Sequence, residues 1–71
     1  MKIIDIQDKL SYKKDHIEGS INIPYDELLN NYRAYLKKDE TYYIYCKSGK
    51  LSKRIVSVLK AVGYNAIILE K

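Results

Sequence analysis

The stretch that most constrains the fold is Tyr42-Tyr43-Ile44-Tyr45, running through Cys46-Lys47-Ser48-Gly49-Lys50 into Leu51-Ser52-Lys53-Arg54-Ile55. Its first four residues are aromatic or β-branched and favour a strand. From there Leu51, Ile55, Val58, Leu59 and Val62 fall at the spacing of one helical face. Gly63 then supplies a C-terminal stop. Strand, tight loop and helix in that order belong to a parallel sheet, whose ligands bind in the crevice outside the carboxyl ends of the strands. Cys46, the sole cysteine, stands at that strand end.

A cysteine in this position has two readings. As a nucleophile it draws on the N–H groups of the loop and the first helical turn, where a helix carries about half a positive charge. That field and nearby cations lower a thiol from about 8.5 into the range of about 3.5–7.5. Lys47 and Lys50 add positive charge on either side, and Gly49 permits a positive φ and close backbone approach. This reading expects a solvent-facing thiol. As a structural residue, the cysteine is a small buried hydrophobe behind a lysine-bearing turn. Position and local charge favour the nucleophile.

The rest of the chain supplies the frame. Lys2 to Ile6 is an apolar strand interrupted by Asp5, whose carboxylate needs hydrogen-bond partners if buried. Gln7 to Ser20 is mostly polar, with Leu10 and Tyr12 as apolar anchors and a short helical turn near Tyr12. Ile21 to Ile23 is a strand closed by Pro24. Asp26 is placed to cap a helix with Leu28, Leu29, Tyr32, Tyr35 and Leu36 on its apolar face, and Lys37 and Lys38 suit its C-terminus. Ala66 to Leu69 is a last strand. Alternating strands and helices predict an α/β fold, a three-layer α/β/α sandwich around a small, mainly parallel sheet with right-handed crossovers.

Composition narrows the classes. A chain of 71 residues with 46% hydrophobic and 31% charged residues is a single globular domain. The net charge of +4 is partly gathered at Lys47, Lys50, Lys53 and Arg54. No nucleic-acid motif accompanies it, and several tyrosines sit in strand or helix patterns, so nucleic acid is not an expected partner. No apolar run reaches membrane-spanning length, so no membrane partner is expected either. A lone thiol without a secretory leader fits a reducing cytoplasm. No residues have metal-ligand spacing, and none is assigned to a metal.

At Cys46, Gly49 and Ser52 the chain resembles the rhodanese-like (sulfurtransferase) family, which carries Cys-x-x-Gly-x-Arg and then Ser ahead of a helix. Leu51 stands where many members have Arg. Upstream, Asp15-His16-Ile17-Glu18-Gly19-Ser20-Ile21-Asn22-Ile23-Pro24 resembles the family's Gly-His-Ile-Pro-Gly-Ala-Ile-Asn-Ile-Pro motif. Ile3-Ile4-Asp5-Ile6 matches its Ile-Asp-Val element, with Gln7 where Arg is usual. The matches follow family order over nearly the whole chain, and imply one domain over residues 1–71, shortened at both ends.

The resemblance implies that Cys46 takes sulfane sulfur from a small anionic donor such as thiosulfate, or from a persulfide. A thiol or protein acceptor then removes it, without cofactor. Lys47, Ser48, Gly49, Lys50, Leu51 and Ser52 would bind the donor and the persulfide, with Lys47 and Lys50 attracting its charge. For His16 it implies packing and hydrogen bonding that hold a loop. Leu51 has two possible places, at the pocket mouth or in the apolar helical stripe, and the pocket is favoured. A non-catalytic module that binds a partner or carries persulfide is the alternative. Cysteine phosphatases share the strand-loop-helix layout but place Arg where this chain has Ser52, so phosphate is disfavoured.

Overall fold

β1 (Lys2–Asp5), α1 (Lys9–Lys14), β2 (Ile21–Asn22), α2 (Tyr25–Tyr35), β3 (Thr41–Tyr45), α3 (Lys50–Ala61) and β4 (Asn65–Ile68) follow one another in a computed structural model. It describes residues 2–70, so the expected domain limits at Met1 and Lys71 lie outside the described residues. All strand pairs are parallel, in the order β2-β1-β3-β4. Ile4 lies opposite Ile44, and Ile44 opposite Ile68. The chain steps one way from β1 to β2 and the other way afterwards. Right-handed crossovers therefore put α1 on one face and α2 with α3, which touch each other, on the other. This is the expected α/β sandwich.

Strand alternation decides the core. Ile4, Tyr42, Ile44 and Ala66 point to the α2 and α3 side and pack with Leu28, Leu36, Ile55, Val56 and Leu59. The opposite face is thinner: Ile3 and Tyr45 are buried, but Ile67 is exposed. Among the described residues no helix is long and apolar enough to cross a membrane.

Several details depart from the sequence expectation. Asp26 does not cap α2; the cap is Pro24, and Tyr25 N–H is taken by Ile6 carbonyl at 3.0 Å, so a tertiary bond starts the helix earlier. Leu10 is no anchor, being exposed on a six-residue α1 that buries nothing. Tyr12 does hold its segment, donating its hydroxyl to Ser20 carbonyl at 2.6 Å. His16 stacks on the Tyr12 ring at 3.9 Å, with Nδ1 2.6 Å from Tyr12 carbonyl. Tyr35 is exposed beyond a kink at Asn31, whose Nδ2 donates to Glu27 carbonyl and disturbs the helical ladder. In α3 the buried stripe is Ser52, Ile55, Val56 and Leu59, while Leu51 and Val62 are exposed. Gly63 does end α3: at φ 97° its N–H donates to Lys60 carbonyl and Tyr64 N–H to Leu59 carbonyl, a Schellman closure.

Asp5 is fully buried at the end of β1 and accepts from Gln7 N–H and Gln7 Nε2, both at 2.9 Å. Asn22 Nδ2 ties the same turn, donating to the carbonyls of Asp5 and Gln7. Gln7 thus meets Asp5 without a buried cation. Asp5→Ala would strand these donors, and a loss of about 1–3 kcal/mol is expected. Urea denaturation of the variant against the parent measures it.

Candidate active site

The alternation that buries Tyr42 and Ile44 also turns Cys46 inward. The residue is 7% exposed and belongs to the core cluster, so the expected solvent-facing thiol is corrected to a buried one. The parity of 42, 44 and 46 in the sequence carried that signal, because successive strand side chains take opposite faces.

What receives the sulfur is built by the loop. Gly49 adopts φ 78°, and as the N-cap of α3 it turns the chain sharply into the helix. Gly49 N–H donates to Cys46 Sγ at 3.1 Å and Ser52 N–H donates at 3.3 Å. Ser52 is 1% exposed. The thiol donates to its Oγ at 3.4 Å, and that hydroxyl donates to Gly49 carbonyl at 3.1 Å. Because a hydroxyl rotates to suit its partner, Ser52 can turn its proton to the sulfur once the thiol ionises. Burial pushes the Cys46 thiol up. The Ser52 hydroxyl, the Ser52 and Gly49 N–H groups and the Ser48 hydroxyl outweigh burial and hold it below the ordinary thiol value. Both readings of this cysteine therefore meet in one residue, buried like a structural cysteine and surrounded by donors like a nucleophile.

Two open cavities flank the sulfur, sharing Cys46, Lys47 and Ser48. The first, of about 480 Å³, is also lined by Asp15, Tyr45, Gly49, Ile68, Leu69 and Glu70. The second, of about 570 Å³, adds Leu51, the turn after β1 (Ile6, Gln7, Asp8), Ser11 of α1, and Pro24, Tyr25 and Asp26 ahead of and within α2. Leu51 lines this second cavity and is exposed, outside the core cluster. Lys50 lines neither cavity, and its N–H donates to Ser48 Oγ at 3.3 Å. Asp8, Pro24, Tyr25 and Asp26 were not singled out as site residues. The available signal was their position after strand ends, which a parallel sheet gathers at one edge. Among the described residues no group of three or more His, Cys, Asp or Glu side chains is placed to hold a metal ion.

A rhodanese-like domain profile matches residues 1–71. The chain belongs to the rhodanese-like domain family. This rhodanese-like domain is 36% identical over 69 residues to a tRNA sulfurtransferase of Pyrobaculum aerophilum, covering 97% of the chain and 14% of that protein. It is 31% identical over 65 residues to the thiosulfate sulfurtransferase PspE of Escherichia coli, covering 90% of the chain and 62% of that protein. A crystal structure of the protein SSP1007 from Staphylococcus saprophyticus superposes with a TM-score of 0.89 at 33% identity, over 99% of this chain and 69% of that one. The rhodanese-like domain thus spans less than two thirds of these curated relatives.

Gly49→Ala places a side chain where φ is 78° and costs about 1–2 kcal/mol, although nothing lies within 4 Å of the added carbon. Alkylation of Cys46 is expected to rise with pH around a midpoint below that of an ordinary free thiol, because a lowered thiol yields thiolate earlier. Gly49→Ala should move that midpoint upward by displacing an N–H donor. Iodoacetamide rates across pH measure both.

Proposed function

We propose that the domain moves sulfane sulfur from a donor such as thiosulfate or a persulfide to a thiophilic acceptor, with Cys46 carrying it as a persulfide. The reading rests on the N–H groups of Gly49 and Ser52 aimed at Sγ from the start of α3. Donors fixed before reaction stabilise charge on sulfur without reorganising, in the manner of an oxyanion hole. The curated relatives named sulfurtransferases support it.

In the first half-reaction the Cys46 thiolate attacks the sulfane sulfur of thiosulfate. A sulfur–sulfur bond forms to Cys46, the donor's sulfur–sulfur bond breaks, and sulfite leaves with the electron pair. In the second, an acceptor thiolate or cyanide attacks the terminal sulfur and Cys46 departs as thiolate. This is covalent catalysis, one displacement split into two. Lys47, Ser48 and Gly49 of the loop, with Leu51 and Ser52 of the first turn of α3, would surround donor and persulfide, while Lys50, first assigned with them, supports the loop through its N–H to Ser48 Oγ. Residues 1–71 hold one cysteine, so the acceptor thiol lies outside them. A reducing cytoplasm would keep Cys46 available.

A carrier role is the second reading. A putative sulfur carrier protein of Bacillus subtilis, YrkF, is 31% identical over 68 residues, 96% of this chain and 36% of that protein. A carrier would accept sulfur but turn over slowly with small acceptors.

Treatment with thiosulfate or a persulfide is expected to add the mass of one sulfur atom, and cyanide to remove it as thiocyanate. Absence of the adduct with every donor would refute both readings; an adduct without turnover would select the carrier. Cys46→Ala should abolish the adduct and lose about 1 kcal/mol of stability, since a buried atom the size of a methylene is removed. Leu51→Arg should improve the thiosulfate specificity constant while shifting stability by no more than about 0.5 kcal/mol, because Leu51 is 37% exposed at the cavity mouth. Steady-state kinetics and a melting curve on this variant check both halves.

A further inference from the structure

The larger cavity beside Cys46 has an uneven chemistry. Its wall is apolar where Ile6, Pro24, Tyr25 and Leu51 meet. Its charged residues are the carboxylates Asp8 and Asp26 against the single ammonium of Lys47. Asp8 is fixed in place: its Oδ1 accepts from Ser11 N–H and its Oδ2 from Ser11 Oγ, both at 2.9 Å. The Ser11 N–H and hydroxyl hold its carboxyl below the usual range, so it is ionised at neutral pH. Lys50, expected to draw anions in, lines neither cavity. The lysine-rich loop therefore opens onto a pocket with a net negative rim.

We infer that this cavity selects a sulfur donor or acceptor with a short apolar body and a positively charged nitrogen, an aminoalkyl persulfide or thiol, and disfavours dianions such as thiosulfate. The inference rests on the proposed chemistry at Cys46 and names its substrate class. Selection arises from repulsion as much as attraction: the carboxylates disfavour an anion that the loop N–H groups would otherwise accept. The apolar wall suits a methylene chain, while the ammonium reaches the carboxylates at the rim. In the transfer step the Cys46 thiolate attacks the outer sulfur of R–S–SH. The Cys46–S bond forms, the donor's sulfur–sulfur bond breaks, and R–S⁻ leaves with the electron pair. The new persulfide's proton passes to R–S⁻, giving R–SH and Cys46–S–S⁻. The sulfane sulfur keeps its oxidation state, so no oxidant or reductant is needed.

Two probes sharing a two-methylene spacer test this: 2-aminoethyl and 2-carboxyethyl persulfide, followed by the sulfur adduct on intact protein. Aminoethyl and sulfonatoethyl methanethiosulfonate give a readout independent of sulfur transfer, through the rate of mixed-disulfide formation at Cys46. Each cation-to-anion rate ratio is referred to a small free thiol. A ratio raised by at least about fivefold at low salt is expected, the factor that attraction of the cation alone gives for one close charge pair in water, falling as salt is added. The ratio should also fall in Asp8→Asn with Asp26→Asn, where Asn still caps α1. Equal rates, faster reaction of the anions, or a ratio unmoved by salt and by the double variant would overturn the inference. A sulfur adduct formed with the anionic donor preferred would overturn this selectivity alone, whereas no adduct from any donor would overturn the chemistry at Cys46 as well.

Discussion

Parallel pairing of β1 with β3 governs the geometry of this domain. Parallel neighbours cannot be joined by a hairpin, so each strand end must launch a crossover. The pairing runs Lys2 to Asp5 alongside Tyr42 to Tyr45, and Ile6 N–H continues it to Tyr45 carbonyl at 2.9 Å. The turn after β1, the entry to α2 and the loop after β3 consequently open at one edge. Asp5 and Cys46 both lie there, each buried and each satisfied by local donors.

The two residues solve the same problem differently. Burying a polar or anionic group is unfavourable unless hydrogen bonds replace water. Asp5 draws on the backbone and side chain of Gln7, which closes a turn. Cys46 draws on Gly49 and Ser52, separated by the first turn of α3, so its donors include the positive end of a twelve-residue helix. Hydrogen bonds to charged partners contribute about 1.5–3 kcal/mol each, enough for a few donors to overcome partial burial. A left-handed residue at Gly49 is the geometric condition, since it brings the N–H of the loop and that of the helix to one atom.

That cradle is indifferent to what the sulfur reacts with; the surrounding walls are not. The residues of the larger cavity come from segments separated in sequence, Asp8 after β1, Asp26 in α2 and Leu51 in α3. In the proposed chemistry the local loop would hold the charge on sulfur, and the convergence of three strand ends would decide which molecules approach it.

The sequence by itself determined the strand-loop-helix unit, the α/β class, the stop at Gly63 and the cysteine with its glycine and serine, because each is written in residues close together along the chain. Periodicity, a positive-φ glycine and a lone cysteine are local signals. Tertiary structure decided the rest. Pro24 starts α2 because Ile6 carbonyl receives Tyr25 N–H, a bond no capping pattern at Asp26 contains. Val56 is buried and Leu51 and Val62 are exposed because the sheet sets which side of α3 is covered, and apolar spacing alone leaves that rotation open. Lys50 lies nearer Cys46 in sequence than Asp8 does, yet only Asp8 lines a cavity with the sulfur. Proximity along the chain fixes the groups that bond to Cys46; the packing of distant strand ends fixes the charge around it.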